Sequence, residues 1–251
     1  MVIRPANVVV LGATKGMGRA VARRMAERGD RVFLLGRDLE ELQLSAADLK
    51  SRSAGAYEVG IAQCDLQRPE TFGTALEQAE TALGPLDIVV VTAAQFATQD
   101  RLEQDTDLAH RLLTVNFANT VMFCELARKR LIARGGGTLC VFSSVAGERG
   151  RKRVVLYGAS KAGLSGYLEG LDHRYRHAGL VTVCVKPGFV TTSMTEGLRR
   201  PPFAGDADAV AKRVLDAIDR RKPVVYAPAA WAFVMFWIRL LPRFVMRRLD
   251  F

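Results

Sequence analysis

A phenol and an ammonium stand four residues apart in Tyr157-Gly158-Ala159-Ser160-Lys161, a spacing that puts both on one face of a helix. Tyrosine, with a pKa near ~10, is a poor acid or base at neutral pH. A neighbouring Lys⁺ favours the phenolate and lowers that pKa, so the pair is suited to moving a proton. Such a pair also arises by chance on exposed helices, and it gains meaning from what precedes it. Phe142-Ser143-Ser144-Val145-Ala146-Gly147 closes an apolar run and places a hydroxyl, that of Ser144, thirteen residues before the phenol.

A second cluster lies near the amino end. Gly12-Ala13-Thr14-Lys15-Gly16-Met17-Gly18 follows the apolar run Asn7–Leu11 and leads into Met17, Val21 and Met25 at helical intervals. Glycine lacks Cβ, so the backbone can turn sharply and come close to a pyrophosphate. The free N–H groups and dipole of the following helix then attract the negative charge. A glycine cluster between a strand and a helix is therefore a candidate phosphate cradle.

The elements that must position these residues alternate along the chain. Apolar, β-branched runs predict strands at 7–11, 31–35, 57–63, 87–92, 138–142, 181–185 and 224–226. Helical spacing predicts helices ending at Gly29 and over 39–52, 69–83, about 103–133, 157–177 and 206–221. This alternation implies right-handed βαβ units and a parallel sheet covered on both faces. The expected fold is α/β, a doubly wound parallel sheet in a single domain, with ligands beyond the carboxyl ends of the strands. The domain occupies 1–228, and an apolar and basic helical extension occupies 229–251.

The glycine spacing G-x-x-x-G-x-G in this position, with Ser144 and Tyr157-x-x-x-Lys161, resembles the short-chain dehydrogenase/reductase family. The resemblance implies a Rossmann fold and an NAD(P)-dependent oxidoreductase acting on CH–OH and C=O groups. It implies a catalytic set of Asn116, Ser144, Tyr157 and Lys161. Ser144 donates to a substrate carbonyl, Tyr157 delivers the proton, and Lys161 also holds the nicotinamide ribose. Asn116 bends its helix and holds a water beside the lysine. The implied cofactor contacts are Gly12, Thr14, Lys15, Gly16, Met17 and Gly18 in the loop, then Arg37, Asp65, Leu66 and Ala93. Tyr157 and Lys161 join them, with Pro187, Gly188, Val190 and Thr192 along the nicotinamide. Two positions depart from the family pattern: Leu11 stands where Thr is usual, and Thr92-Ala93-Ala94-Gln95 where Asn-Asn-Ala-Gly is common. Arg37 offers a planar donor fork suited to a 2′-phosphate, and Lys15 can approach the same group. Both favour NADP(H). NAD stays open, because Asp38, one residue later than the NAD-type acid, can still reach a ribose.

The 251 residues carry 36 Lys+Arg against 26 Asp+Glu, a net charge of +10. No aromatic-flanked basic strand or helix-turn-helix accompanies that charge, so nucleic acid is not an expected partner. The four cysteines are far apart and read as buried thiols. His173 and His177 share a helix face without a third ligand, so no metal is expected. The amino end lacks a secretory pattern, which points to the cytoplasm. The uncharged stretch 223–238 is too short to span a bilayer. Its Trp231, Phe233, Phe236 and Trp237, followed by Arg239, Arg243, Arg247 and Arg248, suit either a lid over the pocket or the inner membrane surface. Both imply a lipophilic substrate. Ser143 to Arg149, Tyr157 to Gly166, Ala227-Pro228-Ala229-Ala230 and Leu241-Pro242-Arg243 are similar to the decaprenylphosphoryl-2-keto-pentose reductases. That narrower likeness implies a polyprenyl-phosphate-linked 2-keto pentose as substrate and a flavin-dependent oxidase as partner, with Arg149, Arg151, Lys152 and Arg153 near a lipid phosphate. Two alternatives stand beside it: reduction of a 3-keto acyl or 3-keto sphingoid lipid, and a non-enzymatic NADP(H)-binding sensor or scaffold. Gly166 and Gly170 permit close helix contact, and in the resembling family this helix packs in a homo-oligomer.

Overall fold

The computed structural model describes residues 5–53, 58–192, 197 and 203–250. Its centre is a parallel sheet of seven strands in the order β3-β2-β1-β4-β5-β6-β7. The strands are β1 (Asn7–Leu11), β2 (Arg31–Gly36), β3 (Gly60–Gln63), β4 (Ile88–Val91), β5 (Gly137–Phe142), β6 (Leu180–Pro187) and β7 (Val224–Ala227). The order reverses direction between β1 and β4, and that switch opens a crevice above the strand ends.

Continuous apolar strands are what a sheet covered on both sides requires. Val8, Val9 and Val10 are all fully buried, and the alternation of their side chains feeds two separate cores. Val9 joins Phe72, Phe123 and Leu164 on one face; Val8 and Val10 join Val21, Leu42 and Val210 on the other. The first layer comes from α3 (Thr71–Leu83), α6 (Thr120–Ala133) and α7 (Val155–Tyr175). The second comes from α1 (Gly16–Glu27), α2 (Leu39–Arg52) and α8 (Ala207–Asp219). Each such buried side chain contributes roughly 1.5–3 kcal/mol, so the frame around the crevice is stiff.

The long helix expected over about 103–133 is divided. It forms α4 (Gln99–Gln104) and α5 (Thr106–Leu113), then a π-helical turn (Thr114–Asn119), and only then α6. Asp105 makes the first break, its carboxylate accepting from Leu108 N at 2.8 Å and capping α5. The predicted strand at 57–63 begins only at Gly60, and Tyr57 lies outside the described residues. After β7 the extension forms α9 (Ala230–Leu240) and a short α10 (Arg243–Met246). Among the described residues no helix is long and apolar enough to cross a membrane.

Candidate active site

Backbone geometry builds the cradle. Gly12 (φ +94°) and Gly16 (φ +52°) take left-handed conformations that favour glycine. A Cβ on Gly18 would fall 2.1 Å from the Gly12 carbonyl oxygen, so the loop can fold back on α1 only without a side chain there. Thr92 ties the loop down from β4. Its hydroxyl donates to Leu11 O (3.1 Å) and Gly12 O (3.0 Å). Leu11 carries no hydroxyl of its own, and the one just after the neighbouring strand makes this tie. The start of α1 carries no acidic residue in its first turn and no side-chain cap. Its N–H groups and positive dipole end therefore suit a dinucleotide pyrophosphate.

The crevice encloses about 560 Å³. Gly12, Thr14, Lys15, Gly16, Met17, Gly18, Arg37, Asp65, Leu66, Ala93 and Thr192 all line it. Asp38 does not stay available for a ribose: its carboxylate accepts from Glu40 N (3.1 Å) and Glu41 N (3.2 Å) as the cap of α2. Lys15 sits 3.4 Å from Glu41, a surface pair of little energetic weight that an incoming phosphate can displace. The other cofactor candidates, Tyr157, Lys161, Pro187, Gly188 and Val190, lie outside this lining, and the Val190 side chain packs into the core.

Beyond the crevice lies the catalytic corner. Ser144 leaves β5 in extended conformation and accepts from Ala146 N at 3.0 Å, which closes a tight turn. Gly147 and Gly158 let that turn and α7 touch. A Cβ on Gly147 would meet the Ala162 N and Lys161 C at 2.6 Å, and one on Gly158 the Ala146 O at 2.8 Å. This close packing brings Ser144 to Tyr157. Phe96, from the loop after β4, packs edge-on against the Tyr157 ring at 5.2 Å between centroids. Ala97, Leu108 and Leu112 complete an apolar wall shared by Tyr157 and the crevice.

Lys161 differs from the expected arrangement. It is 2% exposed, and its ammonium donates to the Phe142 carbonyl at 2.8 Å. It stands 5.9 Å from the Tyr157 ring centroid. Burial lowers the lysine to about 8. Burial likewise raises the Tyr157 phenol to about 12, against the opposing pull of a hydrogen bond with Ser144 and of the Arg151 charge. The phenol is thus held protonated here rather than acidified by the lysine, because desolvation penalises the phenolate more than its neighbours stabilise it.

Asn116 is fully buried in the π-helical turn and clamps Gln95: its Oδ1 accepts from Gln95 N and its Nδ2 donates to Gln95 O, both at 2.7 Å. The extra residue per turn there is the local bend expected at Asn116. Asn119 does similar work beside Asp65, donating to Leu66 O at 2.6 Å. Pro187 and Gly188 close the corner, with Ser144 Oγ 3.5 Å from Pro187 O. Trp231 of α9 covers Gly188 so tightly that a Cβ there would fall 2.1 Å from the indole nitrogen. Sequence reasoning missed Thr92, Phe96, Asn119 and Gly147 as site-builders, and had Trp231 only within a stretch suited to a lid or the membrane surface. Only Gly147, in its Ser-Ser-Val-Ala-Gly turn, had a local signal. All three histidines are exposed. The described residues contain no metal-holding group of His, Cys, Asp and Glu side chains, and all four cysteines are buried free thiols. Of the basic run after Ser144, Arg149 donates to Leu241 O and Arg153 pairs with Asp250, each at 2.6 Å. Both reach the carboxyl-terminal extension.

Comparison with known proteins gives this geometry a context. Residues 6–202 match the family model described as short chain dehydrogenase. An uncharacterized oxidoreductase of Mycobacterium tuberculosis is 35% identical over 98% of this chain and 97% of its own length. Carbonyl reductase family member 4 of Xenopus tropicalis is 29% identical, covering 82% of this chain and 88% of its own. Among solved structures, an actinorhodin polyketide ketoreductase with NADPH superposes with a TM-score of 0.79 at 21% identity. That match covers 89% of this chain and 97% of the other and shows a shared fold.

Proposed function

The chain belongs to the short-chain dehydrogenase family and is an NAD(P)-dependent oxidoreductase; on that premise we propose that it reduces a ketone on a lipophilic substrate, with NADPH as the reductant. The observation that carries this reading is the corner of Ser144, Tyr157 and Lys161, reached from the glycine cradle along the apolar wall of Phe96, Ala97, Leu108 and Leu112. The relative named as a carbonyl reductase supports a C=O substrate.

When bound, the dinucleotide supplies the hydride. The chain's own residues do the rest. Pro187, Gly188 and Thr192 border the nicotinamide side, and Ser144 offers its hydroxyl to the carbonyl oxygen. Tyr157 Oη gives its proton to that oxygen as negative charge develops on it. A phenol held near 12 is protonated at neutral pH, which suits donation to the carbonyl oxygen. Lys161, lowered to about 8 and anchored on the Phe142 carbonyl, is the buried group best placed to return a proton to the phenolate. Phe96 and the apolar wall keep bulk water off the corner. NADPH is preferred over NADH because Asp38 is committed to its helix cap, while Arg37 lines the crevice at the end of β2.

Arg101 and Arg111 line the same crevice, and neither guanidinium makes an ion pair or hydrogen bond among the described residues. Two uncommitted guanidiniums beside an apolar wall suit an amphiphile with a phosphate. This favours a polyprenyl-phosphate-linked 2-keto pentose, supplied by a flavin-dependent oxidase, over a 3-keto acyl or sphingoid chain. The intact Asn116, Ser144, Tyr157 and Lys161 set argues against a non-catalytic sensor. The test is NADPH consumption across a panel of phosphorylated lipid ketones, uncharged lipid ketones and short soluble ketones, repeated with NADH. The proposal expects phosphorylated lipid ketones to give kcat/KM at least about tenfold above the others, with NADPH ahead of NADH. Turnover confined to short ketones, or faster with NADH, contradicts it.

A further inference from the structure

The face of α9 turned away from the domain is apolar and uncovered. Phe233, Phe236, Trp237 and Leu240 recur at i, i+3, i+4 and i+7, one side of a helix, and are 69%, 48%, 55% and 62% exposed. Phe244 of α10 extends the patch at 61% exposure. Met235, on the opposite side, is fully buried and anchors the helix to the domain. Around the patch stand Arg239, Arg243, Arg247 and Arg248, all exposed. The extension's one acid, Asp250, is paired with Arg153.

We propose that α9 and α10 form a docking surface for an anionic lipid bilayer, lying in its interface rather than crossing it. Aromatic rings favour the headgroup level and arginines the lipid phosphates. At 11 residues α9 is about 16 Å long, well short of the ~30 Å hydrocarbon thickness. A second copy of the chain is a poor occupant, since a self-complementary contact would bring arginines of both copies together.

The same helix is fastened directly to both catalytic loops. Trp231 at its start lies on Gly188. Near its end, Arg239 approaches Glu148 at 3.7 Å, and Arg149 donates to Leu241 O at 2.6 Å. Glu148 is itself buried, accepts from Tyr226 at 2.8 Å and pairs with Lys186, next to Pro187. A bilayer bound to α9 therefore sits beside the corner holding Ser144 and Pro187.

The experiment is flotation of the full-length protein with vesicles of phosphatidylcholine alone and of phosphatidylcholine mixed with phosphatidylglycerol. One variant carries Phe233→Ser and Trp237→Ser, and a second Arg243→Glu and Arg247→Glu. NADPH binding and turnover of a soluble ketone serve as folding controls and should not change. Wild type should float at least about tenfold better with anionic vesicles, less so as salt rises, and each variant should lose about tenfold of that binding. The proposal is overturned by equal flotation with both vesicles, by no flotation, or by variants that alter oligomeric state while floating like wild type.

Discussion

The glycine cradle and the catalytic corner meet in one crevice but are held by different means. The cradle is set almost wholly by backbone: left-handed glycines, a missing Cβ at Gly18 and an uncapped helix start, with Thr92 as its side-chain tie. The corner is set by long-range side-chain burial. Lys161 reaches back to Phe142, Asn116 to Gln95, and Tyr157 is wedged against Phe96. A backbone site binds whatever phosphate arrives, whereas a desolvated site decides which protonation states exist. The difference explains why Tyr157 is pushed to about 12 and Lys161 down to about 8 within one helical turn.

Substitutions can separate the two halves. Ser144→Ala should lower kcat by about a hundredfold to a thousandfold in steady-state reduction while NADPH affinity stays constant. A comparable loss of affinity would merge corner and cradle. Gly18→Ala should do the reverse, weakening NADPH binding by at least about a hundredfold in a fluorescence titration, because its Cβ collides with the Gly12 carbonyl. Arg37→Ser should raise KM for NADPH about tenfold and leave KM for NADH unchanged. Equal effects on both cofactors would assign Arg37 a structural role.

The smallest effect concerns pH. Lys161 holds its proton up to about 8 when folded and to 10.5 when unfolded, so over that window the unfolded chain binds more protons. Stability from this group therefore rises with pH through the window, and below about 8 the full cost of burying the ammonium is present. Lys161→Met should remove that rise, changing the pH dependence of the unfolding free energy by roughly 1–3 kcal/mol relative to wild type. Parallel denaturation curves for the two proteins at every pH would show that the lysine is not desolvated.

Much of the cradle was legible because its signals are local. The run Asn7–Leu11 is bounded by Gly12, and α2 begins after Asp38 and ends at Arg52 where its apolar spacing stops. The division of the helical region before Ala133 was not legible from periodicity, since a π-turn at Thr114–Asn119 shifts the register by one residue without breaking the apolar pattern. The cap at Asp105 was the signal available. Tyr157 and Lys161 were found by spacing, but their electrostatics were misjudged. Spacing reports distance along one helix and says nothing of the Phe142 carbonyl that competes for the ammonium. The tie from Thr92 to the glycine loop depends on the pairing of β1 with β4, which only the fold reveals.

The central claim is that Tyr157 supplies the proton. It is tested most directly by measuring kcat/KM for a lipid ketone and the NADPH dissociation constant in wild type and Tyr157→Phe. The account predicts a loss of about a thousandfold or more in kcat/KM with NADPH affinity unchanged. Turnover within a few-fold of wild type would contradict it.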